Sequence, residues 1–336
     1  MGRTNRVIFE GTLYEVVPRA REGLPLPPTE VTNLLLTGIL ARVQRDNKVT
    51  LCNFVEMNNH AHQHCIASDP ALQVKFYMEY QKKVTDTVRK LTKRRWLHLW
   101  EGRPSVAYMA ELQDAINRLV YIFLNPVRAG LVESIDDYPG LSSWKAFLTC
   151  EPSVDAEVIV RARWIPASRV PALPSGNRLS PTNDRLMAQG MRDSPYAVSH
   201  DLVIKPLAWL KIFGVTEPRE IEAIRQRVVS QVRENEAVTA QERRNSGRGT
   251  MGSQRLRQQE YLRPHVPKRK DRRIYLICGN HNLRPQIIHM IQSVLEKCRQ
   301  CYQALKDGRY DEWPPGTFVP WLPPRLCRSA MVRAWT

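Results

Sequence analysis

The sequence predicts an α+β fold over about residues 1–150, an antiparallel sheet flanked by helices, followed by a mostly helical, basic C-terminal extension. Three observations lead there. Strand-like runs rich in β-branched and aromatic residues are interrupted by two or three long amphipathic runs. The turn pair Asn58-Asn59 separates two of those runs, so the second must double back on the first. With 43% hydrophobic residues in 336, the chain has enough apolar material for a real core.

Taken in order, residues 11–18 read as a strand containing Tyr14, Val16 and Val17. Residues 28–45 read as a helix that opens at Thr29 and carries Val31, Leu34, Leu35, Ile39 and Val43. A second strand covers 49–57, with Val49, Leu51, Phe54 and Val55, and a third runs back over 60–67. Asp69-Pro70 supplies a capping carboxylate and a first-turn proline for the next helix, whose apolar stripe is Leu72, Phe76, Tyr80, Val84, Val88 and Leu91. An aromatic-rich strand is expected from Trp96 to about Tyr108. The last helix of this part should span about 109–125 and stop at Pro126.

Beyond 150 the pattern loosens. Residues 151–200 read as an irregular Pro/Arg-rich linker. Residues 201–240 read as a helical segment with the stripe Ile221, Ile224, Val228 and Val232, opened by Thr216 and Pro218. Residues 241–275 read as a basic linker or arm; eleven Lys or Arg face three acids over 241–273. Residues 276–336 read as a C-terminal helical segment, with an amphipathic helix from about 285 to 306. Cys298 lies on that helix's apolar stripe, which favours packing over metal binding for Cys298-Arg299-Gln300-Cys301.

Charge narrows the partners. The 50 Lys and Arg outnumber 33 Asp and Glu, a net of +17. The first 150 residues hold 19 basic and 15 acidic side chains, the remainder 31 and 18. Lys and Arg gain by releasing counterions condensed on phosphates, so a polyanion is the expected partner. No run approaches the roughly 18 apolar residues needed to cross a bilayer. The N-terminal residues lack the apolar core of a signal peptide and the Ser/Thr of a myristoylation pattern. Seven scattered Cys suit free thiols. A cytoplasmic, nucleoid-associated protein with no membrane partner is the expectation.

Chemistry concentrates at two places. In His60-Ala61-His62, residues two apart on a strand share a face, so both imidazoles can converge on one divalent metal. Surface or packing histidines are the competing explanation, and His64 lies one step further on the same face. In the 109–125 helix, at about 100° per residue, Leu112, Ile116, Leu119, Val120 and Phe123 fall within one arc. Tyr121 sits opposite, with Asp114, Asn117, Arg118 and Asn125. A tyrosine serving as core filler belongs on the apolar arc. Asn125 stacks one turn beyond Tyr121, where its amide oxygen can complete a metal site beside the phenol.

These residues carry a resemblance. Phe54-Val55-Glu56-Met57-Asn58-Asn59-His60-Ala61-His62 resembles the histidine–hydrophobic–histidine strand of the HUH superfamily. Tyr121-Ile122-Phe123-Leu124-Asn125-Pro126-Val127-Arg128-Ala129-Gly130-Leu131-Val132 resembles the tyrosine helix of the REP-associated tyrosine transposases, single-tyrosine members of that superfamily. Leu99-Trp100-Glu101-Gly102-Arg103 looks like the element before that helix. Asp137-Tyr138-Pro139 and Ser142-Ser143-Trp144 look like the closing segment. The resemblance spans about residues 5–146. It departs at Asn58, where the family usually has Pro, and at His64, usually aliphatic, which could compete for the metal.

The resemblance implies a ferredoxin-like sheet and a metal-dependent DNA endonuclease and strand transferase. Mg²⁺ or Mn²⁺ would be held by His60, His62 and Asn125. Tyr121 would attack single-stranded DNA beside a hairpin-forming repeat and leave a 5′-phosphotyrosine. Lys82, Lys83, Arg89, Lys90, Lys93, Arg94, Arg95 and Arg103 would contact the nucleic acid, with Trp96 and Trp100 stacking bases. Lys268, Arg269 and Lys270 would add a binding arm. Both a monomer and a homodimer are compatible with the family. The alternative is a non-catalytic DNA- or RNA-binding regulator that keeps the fold, and a weaker one is a nuclease that uses water as its nucleophile.

Overall fold

The computed structural model describes residues 6–174, 177–264, 274–309 and 311–319. The chain enters β1 (Thr12–Val17) and then α1 (Glu30–Asn47). Thr29 caps α1 by accepting the Thr32 amide at 3.0 Å, and Lys48 ends it in the left-handed region. β2 (Thr50–Glu56) and β3 (Ala61–Ala67) form a hairpin closed by Met57 N–H donating to the His60 carbonyl at 2.8 Å. In α2 (Pro70–Leu91), Asp69 caps the Ala71 and Leu72 amides, as its Asp-Pro start predicts. β4 (Ser105–Met109) then pairs with β1. The order β4-β1-β3-β2, all antiparallel, is the ferredoxin-like arrangement.

The expected strand from Trp96 is much shorter. Lys93 turns the chain at φ 54°, and residues 96–104 are irregular apart from single bridges. Their aromatic content reflects packing rather than pairing. Trp100 lies 6.2 Å from the Tyr80 ring and donates its indole N–H to the Gln81 carbonyl of α2.

α3 (Leu112–Arg128) does not stop at Pro126 but includes it. Its end is set by Gly130 at φ 68°: Gly130 N–H donates to Val127 and Leu131 N–H to Pro126, both at 2.9 Å. This is the paired closure that a left-handed glycine allows. α4 (Trp144–Thr149) follows.

The protein is α+β, and the sheet formed by the described residues is larger and more mixed than the antiparallel sheet expected. Residues 151–200, expected to be irregular, carry β5 (Val158–Trp164) and α5 (Pro181–Arg192) and begin β6 (Val198–Ile204). β6 joins β2 in parallel and pairs with β5 antiparallel. The period-two alternation of Val160, Ala162 and Trp164 with Ile159, Arg161 and Arg163 marks β5, although its arginines make the stretch look like a loop. α1 crosses β5 so closely that a Cβ on Gly38 would lie 2.4 Å from the Arg163 carbonyl oxygen. Asp184 of α5 caps α1 across 153 residues or more, accepting the Glu30 and Val31 amides at 2.8 and 3.0 Å.

α6 (Pro218–Asn245) outruns its expected end at about 240 and buries the stripe Ile221, Ile224, Val228 and Val232 against α3. Part of the supposed basic arm is packed. α7 (Ser253–Arg257) lies within it, and the Tyr261 hydroxyl reaches Thr29 and Thr32 at 2.6 and 2.7 Å. β7 (Leu276–Ile277) adds in parallel to β4, and α8 (Leu283–Lys306) packs Ile287 and Ile291 beside it. Cys298 is partly covered on α8, and its thiol is free.

Alternation sorts the sheet into two cores. Tyr14, Val16, Leu51, Phe54 and Cys65 meet α1 and α2 on one face. Leu13, Cys52, Val55 and Met109 meet α3, α4 and α6 on the other. Among the described residues, no helix is long and apolar enough to cross a membrane.

Candidate active site

The site sits at one end of β3, on the face covered by α3. The hairpin that delivers His60 is tied down on several sides. Arg19 bridges His60, Ala20 N–H donates to Asn59 at 2.7 Å, and Leu26 N–H donates to Asn58 at 2.6 Å. The Tyr138 hydroxyl donates to the Glu56 carbonyl at 2.8 Å. Short fixed connections of this kind hold a side chain in place better than a free loop can.

Three rings form a row. His60 and His62 lie edge to face with centroids 4.9 Å apart, and His62 and Tyr121 do the same at 5.8 Å. Each histidine has Nδ1 committed to an oxygen. His60 Nδ1 donates to Asn59 Oδ1 at 2.7 Å, and His62 Nδ1 donates to Glu15 Oε1 at 2.6 Å. The Nε2 of His62 is buried and has no partner among the described residues. A buried nitrogen with nothing to bond is costly, and an imidazole anchored through Nδ1 with a free Nε2 is the usual preparation for a metal ligand.

Glu15 and His62 are each 1% exposed. Burial would push the Glu15 carboxyl up, but the hydrogen bond and charge interaction with His62, then the Arg118 guanidinium, hold it at about 2. Arg118 meets Glu15 through Nε at 2.7 Å and Nη2 at 2.9 Å, while its guanidinium carbon stands 4.1 Å from the Tyr121 ring centroid. A second guanidinium, on exposed Arg128, lies 5.2 Å from the same ring. Tyr121 itself is half-buried. Partial burial, then the neighbouring His62 and Arg19, push the His60 imidazole well below its ordinary range, leaving it neutral.

Asn125 is not the last residue of its helix, as a stop at Pro126 would make it; the helix continues past it, and it is 8% exposed. Its Nδ2 donates to the Tyr121 carbonyl at 3.1 Å and, more weakly, to the Ile122 carbonyl at 3.4 Å. The Ile122 carbonyl is the one deprived of a helical partner by Pro126, which has no N–H. The amide oxygen of Asn125 is used in neither bond.

His64 does not join the centre. Among the described residues, three His, Cys, Asp or Glu donor atoms come within mutual metal-binding reach at Glu111, Asp114 and Cys278, and not at His60, His62 and His64. Those two acids instead receive the Asn280 and Gly279 amides at 3.1 and 2.9 Å, so they hold a loop. His64 is buried, neither ring nitrogen has a partner among the described residues, and burial lowers it to about 3, so it stays neutral.

The basic residues divide. Lys82, Lys90, Lys93, Arg94 and Arg95 are exposed, and Trp96 beside them is 76% exposed. Lys83 is partly covered, Arg89 pairs with Asp86 at 3.7 Å, and Arg103 donates to the Val319 carbonyl. Trp100 is packed on α2 and not free to stack. Lys268, Arg269 and Lys270 lie outside the described residues. The chain just after this run is tied beside the site by backbone bonds: Arg21 N–H donates to Leu99 at 2.7 Å and Glu101 N–H to Arg19 at 2.9 Å.

Sequence reasoning passed over Glu15 and Arg128, and it placed Arg118 on the polar face of α3 without a role. The signal for Glu15 was an acid alternating with Tyr14 and Val16 inside a strand.

No family model matches the chain, and no curated protein does either. One similar solved structure is described as a REP-associated tyrosine transposase bound to a REP hairpin. It is 18% identical, with a TM-score of 0.37, over 44% of this chain and 86% of that one.

Proposed function

We propose that this chain is a metal-dependent, single-tyrosine endonuclease and strand transferase acting on single-stranded DNA. The observation that carries the reading is the buried Nε2 of His62, without a partner among the described residues, fixed by Glu15 and set edge-on to a tyrosine whose ring two guanidiniums approach. A packing histidine needs no such anchor, and a packing tyrosine belongs on the apolar arc of its helix.

His60 and His62 would hold the metal through Nε2, and Asn125 through its amide oxygen. Two imidazoles with one amide oxygen favour Mn²⁺ over the harder Mg²⁺. When bound, the ion supplies Lewis-acid polarisation of the scissile phosphate. The Tyr121 phenol gives its proton to solvent and forms an Oη–P bond. The P–O3′ bond breaks, and the departing 3′ oxygen takes up a proton to leave as a hydroxyl. Each cut replaces one phosphate ester by another, so a new 3′-OH can reverse the step without ATP. Arg128 is placed to meet phosphate charge, and Arg118 is held over the ring by Glu15. The exposed Lys93-Arg94-Arg95-Trp96 run offers cations for phosphates and an aromatic face for a base. Hairpin-forming repeats are the preferred substrate in this reading.

The test is a covalent-adduct assay. Full-length protein is mixed with labelled single-stranded hairpin DNAs and a randomised pool, with Mn²⁺ or Mg²⁺, and run on a denaturing gel. A metal-dependent adduct that disappears in Tyr121→Phe is expected. Cutting that survives Tyr121→Phe would show water as the nucleophile. Tight binding with neither cut nor adduct would instead make the protein a DNA- or RNA-binding regulator.

A further inference from the structure

The residues around the row of rings close into a loop that runs through one buried acid. β1 and β3 are antiparallel with Glu15 opposite His64, so Glu15 reaches His62 as a diagonal neighbour on the same face. From the other side, α3 lays Arg118 onto the same carboxylate. Oε1 accepts from both His62 Nδ1 and Arg118 Nη2, and Oε2 accepts from Arg118 Nε. Arg118 then covers Tyr121, and Tyr121 stands edge-on to His62. The circuit Glu15–His62–Tyr121–Arg118 returns to its start, and Glu15 is the member that bonds to both branches.

A buried carboxylate is hard to place unless paired, and this one is paired twice by groups that the proposed chemistry requires. One bond sets which imidazole nitrogen carries the hydrogen. The other fixes a flexible arginine in a plane over the phenol, which a forked two-point contact does better than any single bond. Among the described residues, Glu15 is the acid that pairs with both His62 and Arg118.

We infer that Glu15 is the positioning residue of the centre, presenting His62 Nε2 to the metal and holding Arg118 over Tyr121. The inference rests on the proposed reaction for its catalytic meaning, but its structural half is measurable without metal or DNA.

The experiment uses the full chain with ¹⁵N-labelled histidine, as wild type, Glu15→Gln, and the Glu15→Met, Arg118→Met double variant. The double variant removes both buried charges together, so it stays testable if the lone Gln substitution leaves Arg118 unpaired and unfolds the protein. Above pH 8 and without metal, wild-type His62 is expected in one tautomer, protonated at Nδ1; the double variant is expected to mix the two. Mn²⁺ should bind about 10- to 100-fold more weakly in the variants. Raising Mn²⁺ to saturation should refill the site yet leave adduct formation about tenfold slower or worse, because Arg118 is loose or absent.

Unchanged tautomer and Mn²⁺ affinity in folded variants would overturn the His62 half of the inference. Full recovery of the rate at saturating Mn²⁺ would overturn the Arg118 half. If the wild type binds no Mn²⁺, the metal in the proposed function is wrong, and the tautomer comparison alone still decides the role of Glu15.

Discussion

Replacing Asn125 with alanine should destabilise the protein even with no metal present, and Pro126 is the reason. A proline inside a helix removes the N–H that would reach back four residues, here to the Ile122 carbonyl. Asn125 turns its side-chain amide onto that carbonyl at 3.4 Å and onto its neighbour, Tyr121, at 3.1 Å. A neutral buried hydrogen bond contributes about 1 kcal/mol, and an orphaned buried acceptor costs about 1–3 kcal/mol. Asn125→Ala should therefore cost about 2 kcal/mol, less the roughly 0.5 kcal/mol that alanine gains as a helix former. In a Pro126→Ala background the backbone N–H returns to Ile122, and the same substitution should cost about 1 kcal/mol less. The helix-propensity gain is common to both backgrounds and cancels in the cycle. Urea unfolding in chelator is the assay, followed by tryptophan fluorescence, since Trp144 packs on Phe123 of α3 at 4.9 Å. Equal costs in the two backgrounds, within about 0.5 kcal/mol, would refute the compensation. Repeating the cycle with Mn²⁺ separates the second role. A ligand at 100 times its Kd stabilises by about 2.7 kcal/mol, and Asn125→Ala should reduce that increment if its oxygen is a ligand.

Two further predictions concern stability. Burial raises the Glu56 carboxyl to about 7, against bonds from Gln63 and Tyr80 that lower it. An acid whose folded value is raised contributes stability below its unfolded value, near 4.5, and that contribution is lost as pH rises through 7. Wild type should thus lose about 3 kcal/mol between pH 4.5 and 8 that Glu56→Gln does not; parallel stability curves would contradict this. Asp184→Ala should cost about 2 kcal/mol by stripping the cap from α1, with faster hydrogen exchange at the Glu30 and Val31 amides, and unchanged exchange there would count against it.

The fold of the first 150 residues was legible because local rules and tertiary packing agree there. Thr29 and Asp69 cap the helices that their chemistry predicts, and the alternation in β1 to β3 matches a sheet covered on both faces. The reading failed where a non-local partner overrode a local signal. Pro126 looked like a stop, but Asn125 and Gly130 let the helix pass it and close four residues later. β5 looked like a loop because arginines fill its alternate positions, and its register is set by β6 almost forty residues on. Tyr121 was singled out by the face of its helix, but Glu15 could not be tied to it. The bond from Arg118 spans 103 residues, and no period in a sequence reports a contact at that range.

The same distant contacts tie the rest of the 336-residue chain to the candidate site built in its first 150 residues. A nucleophile on a helix is only as well placed as the helix, and a misplacement of about 1 Å can cost a hundredfold in rate. α3 is gripped along its length by the apolar stripe of α6. At its last turn, Arg243 donates to the Val127 carbonyl; beyond its end, Arg243 meets Glu133 at 3.3 Å and Glu236 accepts the Ile135 amide at 2.7 Å. Met251 and Gly252 donate to the Gly130 and Leu131 carbonyls at 2.9 Å, the turn that closes α3. The closing turn would otherwise be an exposed corner free to fray, one turn from Asn125 and two from Tyr121. Residues 218–253 thus act on the site without entering it, by holding the helix that carries the phenol against the strand that carries the histidines.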